Sequence, residues 1–178
     1  MMTYFAYGSN LNQSQMLKRC PDAKVVGAFT LKGWQLCFRQ VADIVPVDGN
    51  AVAGGLYQIS EADEQALDRY EGFPNFYFKQ YLPTPQGWIM FYTMTPKYNW
   101  FAFPSDRYFR VIEQGYQDFG IDLKHLYQAV RWTGEQMGYE KPRSSSNHAK
   151  PQTHHKPNSD HRKGFRKHRP RMAASSHQ

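Results

Sequence analysis

Short β-strand signals crowd the first half of this chain and limit its fold more than any other feature. Six segments rich in β-branched and aromatic residues alternate with turn-forming residues, as expected for strands. They span residues 3–7, 24–30, 33–39, 51–59, 77–83 and 88–94. So many strands in so short a stretch favour a closed or strongly curved sheet with helices packed on it, in a mixed α+β fold.

Glycines within this stretch suggest how the strands connect and approach one another. Gln86-Gly87 has the composition of a tight turn and predicts a hairpin between the last two strands. Gly54-Gly55 lies inside a predicted strand, which indicates a bulge or the close approach of another backbone.

Helix signals lie between and after the strands. Ser60 opens a capping box before a helical pattern that Gly72 is expected to end. A longer helix is predicted after Ser105, and shorter helices are predicted within residues 13–20 and 122–130.

The positive charge of the chain belongs to its C-terminal part. Residues 1–140 hold 12 Lys and Arg against 14 Asp and Glu, whereas residues 141–178 hold 10 basic residues, one acid and six of the seven histidines. The second segment has too few apolar residues to offset its ordering entropy, so we predict a folded domain over 1–140 and a disordered basic tail over 141–178. The tail either binds nucleic acid non-specifically through phosphates or only solubilises the protein, and the sequence leaves both open.

Several features predict a cytoplasmic protein. The chain has no apolar run long enough to span a membrane, and its N-terminus lacks the basic and apolar regions of a signal peptide. Cys20 and Cys37 fit buried thiols in a reducing compartment. The sequence makes no prediction of oligomeric state.

The N-terminal stretch YFAYGSNL joins an aromatic strand to a short helix through Gly8. Ser9, Asn10 and Asn12 are residue types that begin helices, and a glycine before them leaves backbone N–H groups without partners. Such a turn can hold a small anion such as a carboxylate or phosphate. A capped turn that binds nothing is the alternative.

Glu71 is the acidic residue with the most unusual predicted surroundings. It falls at the end of a helix, among aromatic residues, where the helix dipole and an apolar pocket both disfavour a carboxylate. It is therefore a candidate general base, although an exposed Glu at a frayed helix end is an equal alternative. His125, the only histidine before the tail, is predicted on a helix surface, and we find no nucleotide-binding glycine motif and no metal-ligand cluster in the predicted domain.

Three blocks together resemble the γ-glutamylcyclotransferase-like family, in particular its γ-glutamylamine cyclotransferases. The blocks are YFAYGSNL, AGGLYQISEADEQALDRYEG and PSDRYFRVIEQGYQDFGID. The resemblance covers about residues 3–130 and implies a small mixed β-barrel of about six strands with flanking helices. It implies that Glu71 is the catalytic acid/base. It also implies a substrate-binding set, partly in the 7–11 loop: Tyr7, Gly8, Ser9, Asn10, Leu11, Tyr77, Tyr92 and Tyr108.

The resemblance implies an intramolecular reaction that needs no metal or organic cofactor. The α-amine of a γ-glutamyl group attacks its own γ-carbonyl, which yields 5-oxoproline and releases an amine or amino acid. The leaving half remains open among a dipeptide, a γ-glutamylamine and glutathione. The alternative hypothesis is a non-catalytic binding module whose basic tail binds nucleic acid.

Overall fold

The computed structural model describes residues 1–85 and 87–139. Gln86 of the predicted turn and the predicted tail, residues 141–178, lie outside the described residues. The strands are β1 (Met2–Ala6), β2 (Lys24–Arg39), β3 (Val41–Ile59), β4 (Tyr77–Thr84) and β5 (Gly87–Met94). The α-helices are α1 (Gln13–Arg19), α2 (Glu61–Glu71), α3 (Asp106–Asp118) and α4 (Lys124–Gln136), with a 3₁₀ turn at Ser9–Leu11.

The five strands form one mixed sheet in the order β2-β3-β1-β5-β4. Strand β1 runs antiparallel to β3 and parallel to β5, and the β2–β3 and β4–β5 pairs are antiparallel. The α+β class is confirmed, but the sheet is not a closed barrel. Strands β2 and β4 are its two edges, and they do not pair with each other within the described residues.

The prediction of six strands is wrong because two predicted strands are one. Strand β2 continues through Gly33, which has a φ of 81° at an irregularity in the pairing between Lys32 and Trp34. Glycine tolerates this backbone conformation, so the strand bends there without ending. Its partner β3 is correspondingly long, and its first half, which includes Pro46, extends well before the predicted residues 51–59.

The helix signals agree with the structure. Ser60 forms a capping box at the start of α2, and Gly72 ends the helix in a left-handed conformation with a φ of 63°. The Ser105 side chain accepts a hydrogen bond from the backbone at the start of α3. Helix α4 is longer than the predicted residues 122–130 because its buried face continues to Thr133 and Gly134.

The central position of β1 brings the 7–11 loop to the middle of the fold. Gly54 and Gly55 of β3 make this possible, because a Cβ on Gly54 would overlap the Ala6 carbonyl oxygen and one on Gly55 would overlap the Phe119 ring. The predicted close approach is therefore present at this pair, while the pairing irregularities lie on the β2 side.

Two further observations concern the cysteine thiols and the character of the helices. Cys20 and Cys37 are free and buried, and burial raises the pKa of both thiols to about 12. Within residues 1–85 and 87–139, we find no helix of the length and apolar character that a membrane crossing requires.

Candidate active site

A small cavity of about 30 Å³ lies where the end of β1 meets α2, α3, β3, β4 and β5. It includes Glu71 and seven of the eight residues predicted to bind substrate. The full set that surrounds the cavity is Tyr4, Tyr7, Gly8, Ser9, Asn10, Ala42, Glu71, Tyr77, Tyr92 and Tyr108. Residues from distant parts of the sequence thus converge on one carboxylate.

Glu71 is the last residue of α2, and it is partly buried. Burial raises its pKa from 4.5 to about 7, while a hydrogen bond from Asn10 and the charge of Arg19 oppose the increase. A carboxylate with a pKa near neutrality exists in both protonation states under ordinary conditions, so it can accept and then return a proton.

Asn10 connects the 7–11 loop to this carboxylate. Its side-chain nitrogen donates to Glu71 Oε1 and to the Tyr4 hydroxyl oxygen, both at 2.8 Å. Its backbone carbonyl accepts a hydrogen bond from the Tyr57 hydroxyl at 3.1 Å. The 3₁₀ turn that follows Gly8 has no side-chain cap, and the first N–H groups of such a turn have no partner within it. N–H groups in this position are suited to bind an anion or a carbonyl oxygen in the cavity.

Three tyrosine hydroxyls form hydrogen bonds with backbone atoms. Tyr77 donates to the Ala42 carbonyl at 2.5 Å, and Tyr108 accepts from the Ala42 N–H at 3.2 Å. Tyr7 donates to the Tyr92 carbonyl at 2.6 Å. These bonds fix the rings around the cavity and use polar atoms that would otherwise be buried without partners.

The fourth predicted tyrosine, Tyr92, is held from helix α2. Its hydroxyl donates to Asp68 Oδ1 at 2.7 Å, and the other Asp68 oxygen binds Lys79 at 2.9 Å. Burial raises the pKa of Tyr92 well above its usual range, as it does for Tyr4, Tyr7 and Tyr77. It also raises the pKa of Tyr108 to about 12, so all five cavity tyrosines are neutral near pH 7.

A wider space of about 210 Å³ borders the cavity and shares Ser9, Glu71, Tyr77 and Tyr108 with it. We call this space the mouth. Its remaining residues are Val41, Tyr70 and Phe76, so among the described residues Glu71 is the only carboxyl or basic side chain at its surface.

The structure also separates residues that the sequence grouped together. Leu11 is fully buried and does not line the cavity; its side chain instead packs where Gly115 of α3 comes close to the loop. The predictions missed Tyr4 and Ala42. Tyr4 looks like any aromatic residue of a strand, and Ala42 takes part through its backbone, which the sequence does not reveal.

Two other features give no competing site of this kind. A larger groove of about 460 Å³ between the β2–β3 pair and α4 includes His125, which is exposed, but it lacks Glu71 and the 7–11 loop. Across residues 1–85 and 87–139, no three His, Cys, Asp or Glu side chains are grouped as ligands for a metal ion.

Known proteins resemble this chain in sequence family and in fold. The sequence model of the family described as "Gamma-glutamyl cyclotransferase, AIG2-like" matches residues 4–110, which is more than half of the chain. A comparison with curated protein sequences finds no match.

Solved structures share the fold at low sequence identity. One titled "Gamma-glutamyl cyclotransferase" has a TM-score of 0.59 and 23% identity, and the alignment covers 82% of this chain and 91% of that one. An uncharacterized protein from Homo sapiens has a TM-score of 0.59 and 24% identity over the same shares of the two chains. YkqA from Bacillus subtilis has a TM-score of 0.60 and 22% identity, covering 75% of this chain and 54% of that one.

Proposed function

We propose that the protein catalyses the cyclisation of a γ-glutamyl amine or peptide to 5-oxoproline. The premise is that the chain belongs to the gamma-glutamyl cyclotransferase, AIG2-like family. The observation that carries the proposal is Glu71, a carboxyl group with a pKa of about 7. It lies in a cavity lined by residues 7–10 of the loop and by the three other predicted tyrosines, Tyr77, Tyr92 and Tyr108. Such a group can act as both general base and general acid.

The reaction requires one bond to form and one to break within the same molecule. The substrate's α-ammonium loses a proton to Glu71, and the free amine then attacks the γ-carbonyl carbon. As the five-membered ring closes, the bond from that carbon to the leaving nitrogen breaks, and Glu71 returns its proton to that nitrogen. The ring nitrogen also loses one of its two remaining protons, which the released amine takes up as it leaves as an ammonium ion. Since both reacting groups belong to the substrate, the protein mainly holds them in an attack geometry.

The 7–11 loop supplies the groups that would hold the substrate. The N–H groups at the uncapped start of the 3₁₀ turn suit the α-carboxylate or the oxygen that becomes negative during attack. A single well-placed donor to such an oxygen contributes about 3–4 kcal/mol to catalysis. The neutral tyrosines add no negative charge that would repel this oxygen.

Replacing Glu71 by Gln tests the proposal, because Gln keeps the size of the side chain but accepts no proton. We expect the Glu71→Gln protein to form 5-oxoproline at least about 10²-fold more slowly than the wild type. Glu61→Gln is the matched control, since it removes the same charge from the exposed first turn of the same helix. A folded Glu71→Gln protein with nearly normal turnover would refute the assignment.

The mouth supports a leaving half that is apolar or flat. Phe76 at the mouth packs edge-on against Tyr98 at 4.7 Å, and Tyr98 packs against the half-exposed Trp100 at 5.6 Å. This aromatic row begins beside Glu71 and offers a hydrophobic surface. Among the described residues no basic side chain lines the mouth itself, and the Lys97 ammonium lies 5.0 Å from the centre of the Tyr98 ring, farther along the row.

A panel of two substrates tests this preference. We expect kcat/KM for γ-glutamylbenzylamine to exceed that for glutathione, whose leaving half carries a carboxylate, by about tenfold or more. Tyr98→Ala should reduce the ratio, whereas Tyr81→Ala, on an exposed position of β4, should leave it unchanged. Equal kcat/KM values for the two substrates would refute the preference and leave the cyclisation itself intact.

A further inference from the structure

Arg19, the last residue of α1, forms contacts that none of the assignments above uses. Its guanidinium donates one hydrogen bond to Asn10 Oδ1 at 2.7 Å and another to Gln15 Oε1 at 2.9 Å. The same group lies 3.7 Å above the centre of the Tyr70 ring. Three contacts therefore fix a partly buried side chain that reaches the 7–11 loop but does not line the cavity.

The Arg19 contact determines which way the Asn10 amide points. A guanidinium only donates hydrogen bonds, so the Asn10 atom that faces it must be the oxygen. The amide nitrogen then faces the opposite side, where its two hydrogens meet Glu71 Oε1 and the Tyr4 oxygen. Each polar atom of the Asn10 side chain has a partner in this orientation.

We propose that Arg19 is a positioning residue that fixes the Asn10 amide so that it donates to Glu71, and that this keeps Glu71 able to act as a base. The inference rests on the function proposed above. Without Arg19, the amide is free to rotate by half a turn and place its oxygen against Glu71. Only a protonated carboxyl group makes a favourable hydrogen bond to that oxygen, so the residue would lose its base form.

The electrostatic surroundings of Glu71 are consistent with this role. Tyrosines face it from β1, β4, β5 and α3, and all of them are neutral near pH 7 because burial raises their pKa values. On its own helix, Asp68 is engaged by Lys79 and Tyr92. Within the described residues, Arg19 is the cation whose charge lowers the pKa of Glu71.

The test measures the protonation of Glu71 directly, so it does not depend on turnover. The side-chain carboxyl resonances of ¹³C-labelled glutamate are followed by NMR against pH, and the Glu71→Gln protein identifies the Glu71 signal. In Arg19→Met we expect the midpoint to rise by about one pH unit or more. The matched control is Lys18→Met, which removes an exposed cation one residue away and should leave the midpoint unchanged.

Arg19→Lys distinguishes positioning from a general effect on folding. Lysine keeps a charged donor but cannot bind Asn10 and Gln15 with two arms, so we expect a smaller rise than in Arg19→Met. If Arg19→Met does not fold, a smaller rise of the Glu71 midpoint in Arg19→Lys supports the positioning role of Arg19. In activity assays with the same γ-glutamyl substrate for every variant, the low-pH limb of the kcat profile should shift to higher pH together with the NMR midpoint, while KM changes little.

The outcomes separate this inference from the proposed function. If the Glu71 titration midpoint in Arg19→Met equals that of the wild type, the role of Arg19 is overturned, even if the enzyme is active. If only Arg19→Lys folds, the same comparison is made with that variant. A wild-type protein that forms no 5-oxoproline overturns the function, and the NMR titration still reports whether Arg19 acts on Glu71.

Discussion

Glu71 should reduce the stability of the protein wherever it is ionised, and its removal should reveal by how much. Its pKa rises from 4.5 to about 7 on folding. Each pH unit of such a difference corresponds to about 1.4 kcal/mol, so the ionised carboxylate lowers the free energy of unfolding by about 3 kcal/mol. Glutamine in its place keeps an oxygen that can accept the hydrogen bond from Asn10 but carries no charge.

The sign of the effect follows from the protons bound in each state. At about pH 4, both the folded and the unfolded carboxyl groups are largely protonated, so Glu71→Gln should change the free energy of unfolding little. Between 4.5 and about 7 the unfolded chain releases its proton first, which favours unfolding of the wild type increasingly as pH rises. Above pH 7 the variant should be more stable by up to about 3 kcal/mol.

Urea unfolding of both proteins at intervals from about pH 4 to about pH 8.5 measures this difference. The Glu61→Gln protein serves again as control, because Glu61 is exposed at the start of the same helix and should show no comparable gain at high pH. A stability difference that is independent of pH, or a Glu71→Gln protein that is less stable above pH 7, would refute the argument that burial of this carboxylate raises its pKa.

Three further predictions concern other parts of the chain. The buried Thr93 hydroxyl has no partner among the described residues, so Thr93→Val should raise the free energy of unfolding by about 1 kcal/mol. The same change at Thr133, whose hydroxyl binds Phe38 N–H and Ala129 C=O, should lower it, as urea unfolding would show. Gly115→Ala would force a methyl group against the 7–11 loop, so it should lower the free energy of unfolding by about 1–3 kcal/mol. A melting temperature that falls by less than about 1 °C would contradict this. A protein of residues 1–140 should form 5-oxoproline within about threefold of the full chain, and a folded but inactive truncation would place part of the site in the tail.

The composition of the site could be predicted because its signals are local. The glycine that follows an aromatic strand marks Gly8 and its neighbours, and an acid immediately before a helix-ending glycine marks Glu71. Arg19 carries no such signal. A basic residue in the last turn of a helix is what helix-dipole interactions favour anywhere, so its contact with Asn10 became visible only in three dimensions.

The number of strands and the closure of the sheet could not be predicted for a different reason. Gly33 and Pro46 are residues that normally interrupt strands. Here Gly33 lies at an irregularity within β2, and Pro46 of the inner strand β3 pairs with Trp34 of the edge strand β2. Whether a glycine ends a strand or bends it depends on the partner strand, which local sequence does not specify. Closure of the sheet into a barrel depends likewise on whether its two edge strands pair with each other, which local sequence does not specify either.

Ala42 offers a way to change the size of the cavity without changing its hydrogen bonds. Tyr77 and Tyr108 bind its backbone, so any residue except proline can make both bonds. Its methyl group faces Gly8, where an added Cβ would lie 3.1 Å from it and 3.3 Å from the Tyr108 hydroxyl. Glycine at 42 would therefore enlarge the cavity and keep both tyrosine bonds, whereas a side chain at 8 would press on Tyr108. The volume of the cavity is thus adjustable at Ala42 without disturbing the tyrosine framework.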